Sequence, residues 1–378
     1  MAAAVAEGIQ THLDVARAAV GVDHTPRSGR ATESDQQTAS RLWLWSTVLV
    51  TAGALMTAIV IAPQSPGAPV RGLTWLLFIG SSVHVASTGW LYTLPDVRTH
   101  AITRPVRYIW VPIGLIAAGA VTAFVFSPSQ LAWLLLPYFA WQFFHFQKQN
   151  LGMVALAASS HRVAGVRPLE RKALVLAGGA GILGLMARPG LLQIRVDPGI
   201  GALFTVAAVA FAAAVGVGIV ALIRRPADDR PAGFCAVYVL SLLFSLPIFV
   251  FGSPYSAVGG MTIAHGLQYL LLVGLVASGP QRGATRMIRL AVLCNIALVG
   301  GAALGAASHL HGAVPAVRLL FGAYLGAVMA HFVVDAGLWR LRDRFPRTFM
   351  ARHVPYLVAP DRSLTAASAD DGSLADIP

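Results

Sequence analysis

Apolar and polar positions fall in long blocks along this chain rather than alternating singly. Runs of about 20 mostly apolar residues recur, each closed by a short break holding Pro, Gly or Arg, and that is the length an α-helix needs to cross a hydrocarbon core about 30 Å thick. Ten such runs are read: residues 42–63, 73–94, 108–127, 131–158, 172–188, 200–223, 233–252, 255–278, 287–308 and 314–341. The pattern predicts an all-α integral membrane protein of about ten transmembrane helices.

No polar interval between runs exceeds about 15 residues, so one polytopic domain, residues 41–345, is expected with no soluble domain inserted. Residues 1–40 read as a tail that is partly disordered: Met1 to Val22 is rich in Ala and weakly amphipathic, and Asp23 to Ser40 is polar. Neither part resembles a cleaved signal peptide. Residues 346–378 are expected to form a disordered second tail, acidic from Pro360 onward.

Composition agrees with the block pattern. Hydrophobic residues make up 56% of the chain and charged ones only 12%, with a mean hydropathy of +0.67. That leaves too little polar surface to cover a water-soluble globule. The two cysteines, Cys235 and Cys294, lie inside apolar runs without CxxC or zinc-ligand spacing.

The formal charge of +12 changes the picture through its distribution. Arginines gather after every second run: Arg98, Arg104 and Arg107; Arg162, Arg167 and Arg171; Arg224, Arg225 and Arg230; Arg282, Arg286 and Arg289; and Arg340 to Arg352. The opposite loops carry only Arg71, Arg188, Arg195 and Arg318. By the positive-inside rule both termini face the cytoplasm, as in a multi-pass inner-membrane protein. Short juxtamembrane clusters without interleaved aromatics exclude a nucleic-acid role.

Four runs differ from the rest because each carries a histidine: His84 in the second, His145 in the fourth, His265 in the eighth and His331 in the tenth. All four runs cross in the same direction, and each histidine stands at a similar distance from its cytoplasmic end. The implied spread in depth is only about 5 Å, so one layer near mid-membrane can hold all four imidazoles. One turn further along lie Thr88, Gln149, Gln268 with Tyr269, and Asp335, placed by i+3 or i+4 spacing on the histidine faces. Lys148 stands beside them, either balancing charge at the site or snorkelling to the membrane surface.

A polar side chain at mid-membrane costs about 2 to 3 kcal/mol unless paired. Neutral imidazole is the commonest ligand of iron, copper and zinc, and amides or carboxylates commonly orient it. The expected site therefore has His84, His145, His265 and His331 as metal ligands, with Asp335, Gln149 and Gln268 orienting them and Tyr269 and Lys148 adjacent. Asp96 and His100 form a DxxxH pair at the cytoplasmic end of the second run, read as a solvated loop pair. Trp90, Trp141 and Trp339 stand near the polar layers, where they pack, anchor at the interface or line a cavity. His12, His24, His161, His309, His311 and His353 receive no role.

The near-equal separations of His84 from His145 and of His265 from His331 allow a four-two-four layout in which the first and last four spans are parallel repeats. Small-residue runs, Gly178 to Gly181 and Gly300-Gly301, mark spans built for close helix contact.

The segment His331-Phe332-Val333-Val334-Asp335 resembles the HxxxD element of the Brp/Blh-type integral membrane dioxygenases. Together with single histidines spread over several spans, the resemblance implies a carotenoid-cleaving type of enzyme with one iron held by histidines alone. The chain lacks the HxxxH and HxxHH boxes of membrane di-iron desaturases. The leading expectation is a membrane oxygenase with non-haem iron acting on a lipophilic small molecule drawn from the bilayer, with an electron-donor protein as a further partner. Alternatives are a haem or copper protein for electron transfer or gas chemistry, and a proton-coupled transporter using the same intramembrane groups.

Overall fold

The computed structural model describes residues 33–63, 69–279 and 283–358. The remainder, comprising most of both expected tails with His12 and His24, and the loop position Arg282, lies outside the described residues. The helical bundle lies in the unit that begins at Gln37.

Every element among the described residues is helical. In order they are α1 (Glu33–Ile61), α2 (71–91), α3 (Pro95–Thr103), α4 (Val106–Val125), α5 (Pro128–Ser160), α6 (Pro168–Ala187), α7 (Leu203–Ile223), α8 (Ala232–Leu242), α9 (Leu246–Val250), α10 (Tyr255–Ser278), α11 (Ala284–Ser308), α12 (Pro315–Leu338) and α13 (Arg344–His353). Six of them are long and apolar enough to cross a membrane: α1, α4, α7, α10, α11 with the turn that follows it, and α12.

The other four apolar runs are helical in less uniform ways. A π turn, Ile79–Val83, interrupts α2. Helix α5 is long, at 33 residues, but carries a polar stretch from His145 to Asn150. Helix α6 opens on Glu170, Arg171 and Lys172. The seventh run breaks into α8 and α9, with Pro247 in the first turn of α9. Pro137, by contrast, lies inside α5 without ending it.

Several boundaries follow from local chemistry. Proline occupies the first turn of α3, α5, α6 and α12, where its missing N–H leaves no bond unmade. At α5 the Ser127 hydroxyl accepts from the Gln130 backbone and the Gln130 side chain accepts from the Ser127 N–H, closing a capping box. At the far end of α4, buried Arg318 donates to the Ala123 and Phe126 carbonyls at 2.7 Å each, satisfying groups that the helix terminus leaves free.

Packing is inside out relative to a water-soluble protein. Large apolar side chains such as Leu49, Val60 and Val299 are about 70% exposed, while Thr51, Ser87, Thr88, Gln268 and Asp335 are buried. That partition suits a lipid surround. Helices approach through small residues, since lipid offers no hydrophobic drive for association. On α12, Gly322 and Gly326 lie against the backbone of α4 around Gly119, so a methyl group on any of the three would collide with the facing chain. Gly300 and Gly301 of α11 seat Ala86 and Val83 of α2, and Gly178 and Gly181 of α6 seat Gln147 and Ser245, as their composition suggested.

One buried ion pair closes the loops around α6. Arg225 Nη1 donates to Glu170 Oε2 at 3.0 Å, and its other nitrogens reach the Asp229 and Ala164 carbonyls. Every nitrogen on this buried guanidinium thus has an acceptor on a neighbouring segment.

From Arg344 to Val358 the chain forms a helix and a turn where the sequence suggested a disordered tail. Helix α13 buries Pro346, Phe349, Met350 and His353, and Val354, Leu357 and Val358 continue the same contact. Phe349, Met350, Val354, Leu357 and Val358 join the core cluster that includes Leu272, Val273 and Val276 of α10. The arginines of this segment obscured an apolar face that becomes visible only once a partner lies beneath it.

Candidate metal centre

The four histidines converge. Each sits on a different helix, α2, α5, α10 or α12, and all four are buried. Ring centres lie 5.0 Å apart for His84 and His265, 5.0 Å for His265 and His145, 5.2 Å for His145 and His331, and 5.0 Å for His331 and His84. The circuit closes. Adjacent planes stand at 70° to 90°, edge to face.

Local structure explains how the rings arrive there. His84 follows directly on the π turn of α2, a deviation that commonly serves to aim a functional side chain. Where α2 crosses α10, Gly80 and Gly266 bring the two backbones into contact, so His84 and His265, each within about one turn of the crossing, meet. Flat walls hold the rings: Phe332 stacks on His145 at 4.4 Å and Phe146 on His265 at 4.0 Å. Both phenylalanines directly follow a site histidine, and the repeated His-Phe pair was the sequence signal for them.

Nε2 of His84, His145, His265 and His331 has no hydrogen-bond partner in the protein. A buried polar atom left so in a native fold calls for a water, an ion or a functional reason. Two sets of ligating atoms lie within 4.8 Å of one another, His84 with His265 and His331, and His145 with His331 and Asp335, so each set can hold a metal ion and His331 belongs to both.

Asp335 enters this geometry directly. Its Oδ2 lies 3.5 Å from His331 Nε2 and 3.9 Å from His145 Nε2, while Oδ1 accepts the Tyr269 hydroxyl at 3.0 Å. Tyr269 is 2.8 Å from Thr88 Oγ1, which is 2.7 Å from Nδ1 of His331. A carboxylate only accepts, so the direction of the chain follows: Tyr269 donates to Asp335, Thr88 to Tyr269, and His331 Nδ1–H to Thr88. That tautomer leaves the lone pair of His331 on Nε2, facing the other three rings.

The expected orienting residues divide. Asp335 stands against two imidazoles, and Tyr269 and Thr88 complete the relay. Among the described residues neither Gln149 nor Gln268 hydrogen-bonds an imidazole. Gln149 Nε2 donates to the backbone carbonyl of His265 at 3.0 Å and to Gln268 Oε1 at 2.9 Å, and Gln268 in turn donates to Thr51 of α1 at 2.8 Å. They brace α5, α10 and α1 against one another, because their rotation about each helix axis aims them at neighbouring helices. Thr51, on a run without histidine, was not foreseen. Lys148 is exposed, its Nζ 5.0 Å from the centre of the Phe144 ring on the outer face of α5, and takes no part in the centre.

The tryptophans and the DxxxH pair also find places. Trp141 meets Phe332, Trp339 meets Tyr269, and Trp90 is core. Asp96 pairs with Arg352 at 2.7 Å, and His100 lies flat on Phe345 at 3.8 Å. With Thr99, Thr103, Thr348 and Phe349 they line a cavity of about 390 Å³ between α3 and α13. Partial burial, reinforced by the Arg104 and Arg107 guanidiniums, holds the His100 imidazole below its ordinary range.

No family model, curated protein or solved structure matches this chain.

Proposed function

We propose that this protein is a membrane-embedded, metal-dependent oxygenase that holds one non-haem iron through His84, His145, His265 and His331 and acts on a lipophilic substrate taken from the bilayer. The observation that carries the reading is a circuit of four buried imidazoles with unpartnered ring nitrogens, in two ligand sets that share His331, one of which includes the Asp335 carboxylate. An imidazole bound through nitrogen sets its ring centre about 3.2 Å from the ion, so two rings on one ion stand about 4.5 to 6.4 Å apart. The four separations of 5.0 to 5.2 Å fall inside that interval. Among the described residues Asp335 forms ion-pair contacts with histidines and none with lysine or arginine, and it is a buried acid whose charge a cation would offset.

The donor set favours iron. His145, His331 and Asp335 make a two-histidine, one-carboxylate combination of the kind that non-haem iron oxygenases use, and the carboxylate argues against copper. A haem is disfavoured because the rings contact one another around the circuit, occupying the plane a macrocycle would need. Proton-coupled transport loses one member of its relay with Lys148 on the outer face. In this reading bound iron supplies the redox chemistry, and the protein excludes water, fixes the His331 tautomer through the Thr88 relay and presents the site to the acyl region. The likeness of the HxxxD element to the carotenoid-cleaving dioxygenases supports an isoprenoid, sterol or acyl substrate of similar character. The arrangement includes ten spans in a four-two-four layout, both termini on the cytoplasmic side of the inner membrane, and an electron-donor protein as partner.

Metal analysis with an optical spectrum of the full chain purified in detergent tests the proposal. The expected result is iron near one ion per chain without a Soret band. Metal far below one ion per chain after expression in iron-, copper- and zinc-supplemented medium, or a stoichiometric Soret band, overturns it.

The relay makes its own prediction. Thr88→Val removes the hydroxyl between His331 and Tyr269 while keeping the shape of the side chain. Iron affinity is expected to fall about 10- to 100-fold, the usual loss when a partner that orients a ligand is removed. Competition with a chelator of graded strength reads this directly, and an unchanged affinity would show that the hydroxyl orients nothing.

A further inference from the structure

We infer that Tyr269 and Trp339 form an electron route between the iron centre and the cavity between α3 and α13, protecting the centre when it is oxidised without substrate. The route rests on the metal reading. Tyr269 is buried, with its ring centre 5.2 Å from that of His331 and 5.8 Å from that of His84. Trp339 follows at 6.2 Å, and Phe349 stands 6.5 Å beyond Trp339 as part of the cavity wall. Electron tunnelling slows exponentially with the gap to be crossed, and successive rings are near contact from centre to cavity.

Phenol and indole are the side chains most readily oxidised by one electron, but a phenol gives up its electron easily only if a base takes its proton. Tyr92 and Tyr238 donate to backbone carbonyls, which cannot accept a proton. Tyr269 donates to the Asp335 carboxylate at 3.0 Å, which can. Phe349 is too hard to oxidise and serves as spacer and wall.

The steps balance. A centre oxidised by oxygen or peroxide gains one electron from Tyr269, whose proton passes to Asp335 Oδ1, leaving a neutral phenoxyl. Trp339 then supplies one electron to the phenoxyl, which recovers its proton from Asp335, leaving an indole radical cation. A small water-soluble one-electron donor of the ascorbate class, admitted at the cavity, returns the indole to its resting state. A volume of about 390 Å³ suits a molecule of that size.

The test uses the full chain in lipid nanodiscs, loaded with ferrous iron, assayed for bound iron, mixed with hydrogen peroxide and freeze-quenched for electron paramagnetic resonance. A radical signal that narrows on ring-deuteration of tyrosine is expected in the unaltered protein. Tyr269→Phe, loaded with more ferrous iron to a bound content matched to the unaltered protein because its relay also orients His331, should lose that signal per bound iron. Trp339→Phe should keep it but slow its ascorbate-driven decay by an order of magnitude. Iron-loaded unaltered protein without a tyrosine contribution, an undiminished signal in Tyr269→Phe, or unchanged decay in Trp339→Phe overturns the route. Failure of the unaltered chain to bind iron overturns the metal reading itself, and the route with it.

Discussion

Replacing His331 with alanine is expected to leave the purified protein with almost no bound metal, a drop in affinity of well over about 100-fold, since losing only an orienting partner costs about 10- to 100-fold. The expectation is larger for this residue than for any other because His331 belongs to both sets of converging ligand atoms. Its removal also strands Thr88, whose hydroxyl accepts from the Nδ1 nitrogen, and deprives Asp335 Oδ2 of its nearer imidazole. His84→Ala is the informative companion. It breaks one set and leaves His145, His331 and Asp335 together, so part of the bound metal should remain. Metal-to-protein ratios after desalting, taken beside a thermal unfolding curve for each variant, make the comparison. Equal retention in the two variants would remove His331 from its shared position, and full retention in both would remove the centre altogether.

Gly266→Ala should also empty the site although it touches no ligand. A methyl group there would fall onto the Gly80 backbone, with Gly80 Cα only 2.6 Å from the new carbon, and backbone has no alternative rotamer with which to yield. Helices α2 and α10 must part, and His84 and His265 part with them. Overpacking of this kind costs about 1 to 3 kcal/mol, and a displacement of about 1 Å at a site can cost about 100-fold in its function. The control lies on the same helix: Gly274 has open space around its missing side chain. There alanine relieves the entropy cost of a helical glycine and should stabilise by about 0.5 to 1 kcal/mol with metal content unchanged. Should both variants keep their iron, the crossing at Gly80 does not set the spacing of the rings.

The polar layer was legible because it depends on composition at known depth. A histidine in an apolar run has no water to turn to, so four of them at one level pointed to one another before any packing was known. The i+4 spacing of His331 and Asp335 was equally readable, since a helix places such residues on one face whatever surrounds it. Lys148 shows the limit of that reasoning: only about one turn from His145, it is rotated far enough to reach the outer surface. The π turn before His84 and the break between α8 and α9 left no mark in hydropathy, because both change backbone register without changing which residues are apolar.

By itself the sequence pointed to a chain of apolar helices suited to lipid and to imidazoles at one level along them, for these follow from the transfer free energies of side chains taken one helix at a time. Only the tertiary structure decided which atom meets which. Thr88, on the histidine face of its own helix, serves His331 rather than His84, and Gln149 spends its donors on Gln268 and the His265 carbonyl. Such pairings depend on the rotation and crossing of neighbouring helices, set in this protein where Gly80 and Gly266 let two backbones touch, and no single helix carries that information.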